Sequence, residues 1–388
     1  MTSSTDYYQL DSLLTEEEKM IRDTTQEFVD DQVRPDVGEN FLEGEFPLDL
    51  VPEMAELGFF GANFDHEAFP NVSERAYGLI MQELERGDSG IRSFVSAHAA
   101  LSMYAILAYG SEDQKEEYLT PMRDGEVVGC FGLTEPEHGS DPSGMETRAE
   151  KDGGEWVLNG SKTWITNSPI ADVLVVWART AEDDEIRGFL VPGDADGLTT
   201  NELTGKLSLR ASITGEIGLN DVRIDESRIL PGVSGLKGPL GCLNQARYGI
   251  CWGAVGMAID CFETARDYAV DREQFGGPIG RYQLQQDKLA DMMAGITKGQ
   301  LLCFHLARLK EEGNMEPMHI SMAKRENCRM ARDVARKARE MLGGNGITVD
   351  YPPMRHLANI ETVYTYEGTD DIHSLVLGEE ATGISAFQ

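Results

Sequence analysis

Trp156-Val157-Leu158-Asn159-Gly160-Ser161-Lys162-Thr163-Trp164-Ile165-Thr166 is the stretch whose reading decides the fold. Residues 156–158 and 163–166 are β-rich, and Asn159-Gly160 between them is a strong hairpin signal. Similar short runs lie around it, at 127–133, 173–178, 188–191 and 218–224, separated by Gly, Asn and Asp. Closely spaced strands without long helices between them predict an antiparallel sandwich or barrel and disfavour a Rossmann sheet.

On both sides of this segment the apolar spacing turns helical. Thr15-Glu16-Glu17-Glu18 is a capping box that starts a helix running towards Val33, where Pro35 stops it. Further helices are predicted over 48–57, 73–86 and 92–109, each ending at a glycine, and Ser111-Glu112-Asp113-Gln114 is a second capping box. Beyond Leu236, long helical segments are predicted over 240–272, 281–311, 317–342 and 370–386. The expectation is an α+β multidomain chain: an all-α domain over 1–125, an antiparallel β-domain over 126–235 and a four-helix bundle over 236–388.

The chain of 388 residues carries a formal charge of −33, with its acidic residues dispersed and no basic block. That balance argues against nucleic acid or an anionic membrane as partner. It suits a salt-rich cytoplasm, where counterions screen the self-repulsion of an acidic surface. The six cysteines form no Cys-x-x-Cys pair and are expected to be reduced, buried thiols. The dispersed histidines predict no metal site. The N-terminus lacks an apolar signal core and no charge-free apolar window is long enough to span a bilayer, so the expected location is cytoplasmic.

Four motifs and one further residue, Arg272, could carry chemistry. Tyr366-Glu367-Gly368-Thr369 places a carboxylate just ahead of a helix that Thr369 would cap, where free backbone N–H groups can hold an anion; it reads as a base beside such a site or as an ordinary loop and cap. Phe131-Gly132-Leu133-Thr134-Glu135-Pro136, with Gly139-Ser140-Asp141-Pro142, is a main-chain cradle for a flat cofactor or a surface turn. Trp164-Ile165-Thr166 offers a ring and a hydroxyl for stacking on a heterocycle, or a core tryptophan. Met341-Leu342-Gly343-Gly344-Asn345-Gly346 follows a helix, where a dinucleotide fingerprint requires a preceding strand, so it reads as a helix C-cap. Arg272 is a phosphate ligand or a surface ion pair.

Taken in order and spacing, these motifs, with Ser89-Gly90-Ile91-Arg92-Ser93 and Leu243-Asn244-Gln245-Ala246-Arg247-Tyr248-Gly249, resemble the acyl-CoA dehydrogenase family over nearly the whole chain, and within it the glutaryl-CoA dehydrogenase branch. The resemblance implies helical, β and helical domains, with FAD between the last two and reaching across a subunit interface of a homotetramer. It implies flavin contacts from Phe131, Leu133, Thr134, Trp164 and Thr166. The ADP part would be reached from a neighbouring subunit by Arg272, Phe275, Gln283, Gly343 and Gly344, and Thr369 would touch the pyrophosphate, with Asp371 also assigned to the cofactor. Ser140 and Arg247 would meet CoA.

Glu367 would be the base; some relatives carry it at the position of Ala246, where alanine cannot serve. Arg92 with Ser93 would bind the distal carboxylate of the substrate, Glu85 and Tyr366 would complete the pocket, and Gly368 would line it. The implied reaction is oxidative decarboxylation of glutaryl-CoA to crotonyl-CoA and CO₂, with an electron-transfer flavoprotein as acceptor. The alternatives are a dehydrogenase for another short-chain or dicarboxylyl-CoA, and a catalytically silent flavin- or CoA-binding protein of the same fold.

Overall fold

The computed structural model describes residues 6–386; the outermost residues of the first and last expected domains lie outside the described residues. Helix α1 (Glu16–Phe28) starts on its capping box, Thr15 Oγ1 accepting from Glu18 N and the Glu18 carboxylate from Thr15 N, and continues in wider turns to Val33. Helices α2 (Val37–Glu43) and α3 (Val51–Glu56) lead to α4 (Glu74–Gly87), capped by the Ser73 hydroxyl. A single residue, Asp88, separates α4 from α5 (Ser89–Val95), and its carboxylate caps α5 by accepting from Gly90 N at 2.6 Å. Eight residues of wide turns, Ser96–Met103, join α5 to α6 (Tyr104–Tyr109), and the Ser111–Gln114 capping box opens α7 (Glu112–Arg123). The continuous run Ser89–Tyr109 is long and apolar enough to cross a membrane by composition, yet most of it is packed inside the protein.

Seven strands follow: β1 (Gly129–Gly132), β2 (Arg148–Asp152), β3 (Glu155–Thr166), β4 (Val173–Thr180), β5 (Ile186–Pro192), β6 (Leu198–Glu202) and β7 (Thr214–Asp225). They form one sheet in the order β1-β4-β2-β3-β7-β6, with β5 also paired to β4. Two expectations are corrected here. No hairpin forms at Asn159-Gly160, because β3 runs through both residues as one bulged strand. The Asn159 side chain is bonded across to Asp221 on β7, and at Gly160 (φ +148°) a Cβ would fall 2.5 Å from Thr147 Oγ1. The turn lies instead at Gly153-Gly154, where Asp152 pairs with Glu155. The sheet is also mixed: β1 and β2 both run parallel to β4, since the loop 133–147 brings the chain back in its original direction.

The last segment comprises α8 (Lys237–Asp271), α9 (Gln283–Glu311), α10 (Pro317–Met341), α11 (Pro352–Val363) and α12 (Asp370–Thr382). Helix α11 is absent from the four-segment expectation. Its tandem prolines read as a break, and its buried face carries Arg355, His356 and Asn359, which hide the apolar period. Arg355 and Asn359 build a junction of all three segments at the cap of α5: Asp88 accepts from Arg355 and from Asn359 Nδ2 (3.0 Å), while Asn359 Oδ1 accepts from Leu209 N (2.8 Å). All six cysteines are buried and unpaired with one another.

Candidate active site

The C-terminal end of α11 turns into residues 364–369, and this turn delivers Glu367 to the interior. Its backbone is left-handed at two successive positions, Glu367 (φ +52°) and Gly368 (φ +96°). A Cβ at position 368 would fall 2.9 Å from His373 Nε2, so glycine is required both by conformation and by space. Thr369 then caps α12 as expected, its hydroxyl accepting from Ile372 N at 3.2 Å.

Glu367 Oε2 is buried without a hydrogen-bond partner among the described residues. Desolvation raises the pKa of this carboxyl, while Arg92, Lys324 and Arg247 pull it back. A carboxylate left unpaired in a site that contains three cations is placed to exchange a proton with something else. Arg247 does not bind the carboxylate; its Nε donates to Glu367 O at 2.6 Å.

Beside Tyr366 lies a second charged group. Arg92 and Glu85 are both 0% exposed, with Arg92 Nε donating to Glu85 Oε2 at 2.6 Å and Arg92 Nη2 to the Tyr366 hydroxyl. Burial alone would depress the Arg92 pKa, but Glu85 and Tyr366 outweigh it and the group stays charged. Arg92 Nη1 and Glu85 Oε1 remain without hydrogen-bond partners among the described residues, and Ser93 is buried next to them. The seven-residue spacing of Glu85 and Arg92 spans the α4–α5 break, so the pairing depends on the Asp88 junction and on Gly253 of α8, where a Cβ would fall 2.0 Å from Glu85 Oε2.

The remaining expected residues are found in four places. Phe131 and Leu133 are buried and Thr134 half-buried along and just beyond β1, and Thr163 N bonds Thr134 O, bringing Thr166 and Trp164 of β3 alongside. Trp164 is no core residue: left-handed backbone (φ +60°) at a bulge leaves the residue 63% exposed. Ser140 is exposed on the loop 133–147 and Asp371 on the first turn of α12. Arg272, Phe275 and Gln283 sit at the α8–α9 connection with Phe275 95% exposed, and the exposed Gly343-Gly344 turn adjoins that end of α8 through Asn345 Nδ2 to Tyr268 OH at 3.1 Å. Within one chain this last group faces solvent rather than Glu367. An open depression of about 550 Å³ beside Glu135, Glu146 and Arg148 shares no lining residue with the Glu367 site.

Lys324 and Tyr77 went unread in the sequence, His373 was read only as part of the stretch 364–373 without a role, and all three surround the loop. Lys324 falls on the buried stripe of α10 with Ile320, Ala323, Asn327, Cys328 and Ala331, a helical period into which a lone lysine intrudes. That intrusion was the available signal.

Models of the acyl-CoA dehydrogenase N-terminal, middle and C-terminal domains match residues 15–126, 130–222 and 234–382. The chain belongs to the acyl-CoA dehydrogenase family. Within it, the glutaryl-CoA dehydrogenase of Mycobacterium smegmatis, solved in complex with FADH2, is 47% identical with a TM-score of 0.98, each chain covered in full. The glutaryl-CoA dehydrogenase of Desulfococcus multivorans is 33% identical over 97% of this chain and 99% of its own. The mitochondrial short-chain specific acyl-CoA dehydrogenase of Rattus norvegicus is 34% identical over 94% of this chain and 90% of its own.

Proposed function

We propose that this chain carries out the FAD-dependent oxidative decarboxylation of glutaryl-CoA to crotonyl-CoA and CO₂, with an electron-transfer flavoprotein as electron acceptor. Overall identity to the Desulfococcus and rat relatives is nearly equal and does not separate a glutaryl-CoA enzyme from a short-chain one. The observation that carries the reading is the fully buried Arg92–Glu85 pair with its unused donor, Arg92 Nη1. A buried cationic donor without a partner is costly unless an anion completes it, and the distal carboxylate of a dicarboxylyl-CoA is such an anion.

The residues present fit FAD. Trp164 exposes a ring at the strand end that carries Thr166, and the N-terminus of α12 offers unpaired backbone donors for a pyrophosphate. The solvent-facing Arg272, Phe275 and Gly343-Gly344 suit the ADP end of a cofactor held by a second copy, as in a homotetramer. When bound, FAD supplies the acceptor for the hydride from the β-carbon.

Glu367 removes the α-proton of the thioester. Its raised pKa improves the match to this weak carbon acid, and the Glu367 backbone N–H stabilises the negative charge that develops on the thioester oxygen. Arg92, with Ser93, Glu85 and Tyr366, holds the distal carboxylate until dehydrogenation has made the thioester α,β-unsaturated. The bond to the carboxylate then breaks, its electron pair enters the conjugated thioester and CO₂ leaves. Protonated Glu367 returns its proton to the resulting dienolate, giving crotonyl-CoA.

The similarity to short-chain specific enzymes favours a second reading, dehydrogenation of a short acyl-CoA without decarboxylation. An anaerobic substrate panel with product analysis decides between them. Arg92→Met is expected to lose more than about 1.5–3 kcal/mol of transition-state binding on glutaryl-CoA, the worth of one charged hydrogen bond, and to keep activity on an uncharged four- or five-carbon acyl-CoA. Equal losses on both, or glutaconyl-CoA as the wild-type product, would overturn the first reading.

A further inference from the structure

We propose that Lys324 is a positioning residue for the reacting loop, its ammonium fixing both the base and the backbone N–H of Glu367 by holding the carbonyls on either side of it. This rests on the reading of Glu367 as the base. Lys324 is 1% exposed, and its Nζ donates to Gly368 O at 2.6 Å and to Tyr366 O. Between those two, Glu367 O is held by Arg247. Three consecutive carbonyls are therefore each bound by a cation, the outer two by the buried Lys324 of α10 and the middle one by the half-buried Arg247 of α8.

This arrangement answers two needs of the site. A non-glycine residue in the left-handed region costs about 1–3 kcal/mol and persists only where its surroundings over-determine it; here the bonds to the loop carbonyls supply that constraint at Glu367. In a trans peptide the C=O and N–H point in opposite directions. Pinning Tyr366 C=O towards α10 turns the Glu367 N–H away from α10, leaving it free to act as a donor to substrate. A single ammonium thus sets the proton acceptor and the hydrogen-bond donor together.

Burial lowers the Lys324 pKa to about 8, so it carries its charge at neutral pH, and that charge restrains the upward shift of Glu367. The charged or titratable groups facing it are Cys328 on α10, Arg247 and Cys251 on α8, Tyr366 and Glu367 on the loop, and His373 on α12. The thiols have raised pKa values and the His373 pKa is lowered to about 3, so all three stay neutral near pH 7.

The test uses FAD-loaded wild type, Lys324→Met, Lys324→Gln and Glu367→Gln. The readout is solvent-deuterium exchange at the α-carbon of acetyl-CoA, which has no β-carbon and isolates proton removal from hydride transfer. In Lys324→Met the exchange rate should fall about 10²-fold, the scale of a misplaced reacting group, while acetyl-CoA affinity and flavin content hold. Its pH profile should move to higher pH, because a cation that lowers Glu367 is gone. Lys324→Gln, which keeps two N–H donors, should recover part of the rate. Wild-type exchange in Lys324→Met, or a loss that tracks substrate affinity with no movement of the profile, overturns the proposal. If Lys324→Met does not fold, Lys324→Gln decides, and its amides over 365–369 should exchange faster than in wild type; unchanged protection overturns the proposal. Exchange by Glu367→Gln at the wild-type rate would bring down the base assignment and this proposal with it.

Discussion

Glu85 and Glu367 are two carboxylates on either side of Tyr366 and Arg92, and they are provided for in opposite ways. Glu85 has a guanidinium 2.6 Å away and room made for it by a glycine on α8. Glu367 has cations around it, but two of them are spent on carbonyls of its own loop and its Oε2 is left unpaired among the described residues. The difference teaches that these acids acquire their roles from where the neighbouring cations are aimed. On the proposed reading, a directed cation makes an anchor and a diverted one leaves a base.

The comparison breaks first at Glu367. Glu367→Gln keeps the shape of the side chain and should retain fold and flavin, yet lose at least about 10²-fold in the rate of anaerobic flavin reduction by acyl-CoA. Near-normal reduction in a flavin-loaded variant would remove Glu367 as the base.

Gly253→Ala attacks the other side. The added methyl would fall 2.0 Å from Glu85 Oε2, and overpacking of this kind should cost about 1–3 kcal/mol of stability. By moving Glu85 off Arg92 it should also lower kcat/KM for glutaryl-CoA more than for butyryl-CoA. A preserved ratio between the two substrates would separate the Arg92–Glu85 geometry from substrate choice.

A subtler contrast is thermodynamic. The folded-state pKa of Glu367 is raised, so its contribution to stability is fully present below the unfolded carboxyl value of about 4.3 and is lost as pH rises through the folded value. Glu367→Gln, which has no carboxylate to bury, should therefore melt above wild type at neutral pH. The gap should close as pH falls into the acid range. A melting difference that is flat across pH would mean that desolvation of Glu367 is not what the fold opposes.

The smallest expected effect concerns the surface that neither carboxylate shares. A charge of −33 makes the protein self-repelling in dilute buffer, and melting with FAD held fixed should rise towards molar KCl. A midpoint that stays flat or falls with salt would end the case for a salt-rich origin.

What could be read from sequence was whatever local chemistry dictates. The Thr15 and Ser111 capping boxes form as their side chains require, and Thr369 caps the helix after Glu367. Asn159-Gly160 misled because the turn signal is local, whereas the bulge answers to Asp221 and Thr147, distant in the chain. Trp164 was ambiguous for the same reason: its exposure follows from a left-handed residue at a bulge that no propensity announces. Arg92 and Glu85 could be placed in one pocket only through the resemblance, because the α4–α5 break cancels simple helical spacing. Lys324 was legible in principle, as a lysine in an apolar stripe, but its carbonyl partners lie more than forty residues away.

The Asp88 junction bears on how the molecule comes apart. Leu209 of the middle segment, Arg355 and Asn359 of the last and the cap of α5 in the first share one buried hydrogen-bonded cluster. Separating any one segment strands a buried carboxylate, guanidinium or amide belonging to another, at about 1–3 kcal/mol for each group left unpaired, so partial opening is penalised. Denaturation of the protomer should accordingly be a single cooperative event. A fragment lacking the middle segment should lose order first in α5, at the turn that carries Arg92.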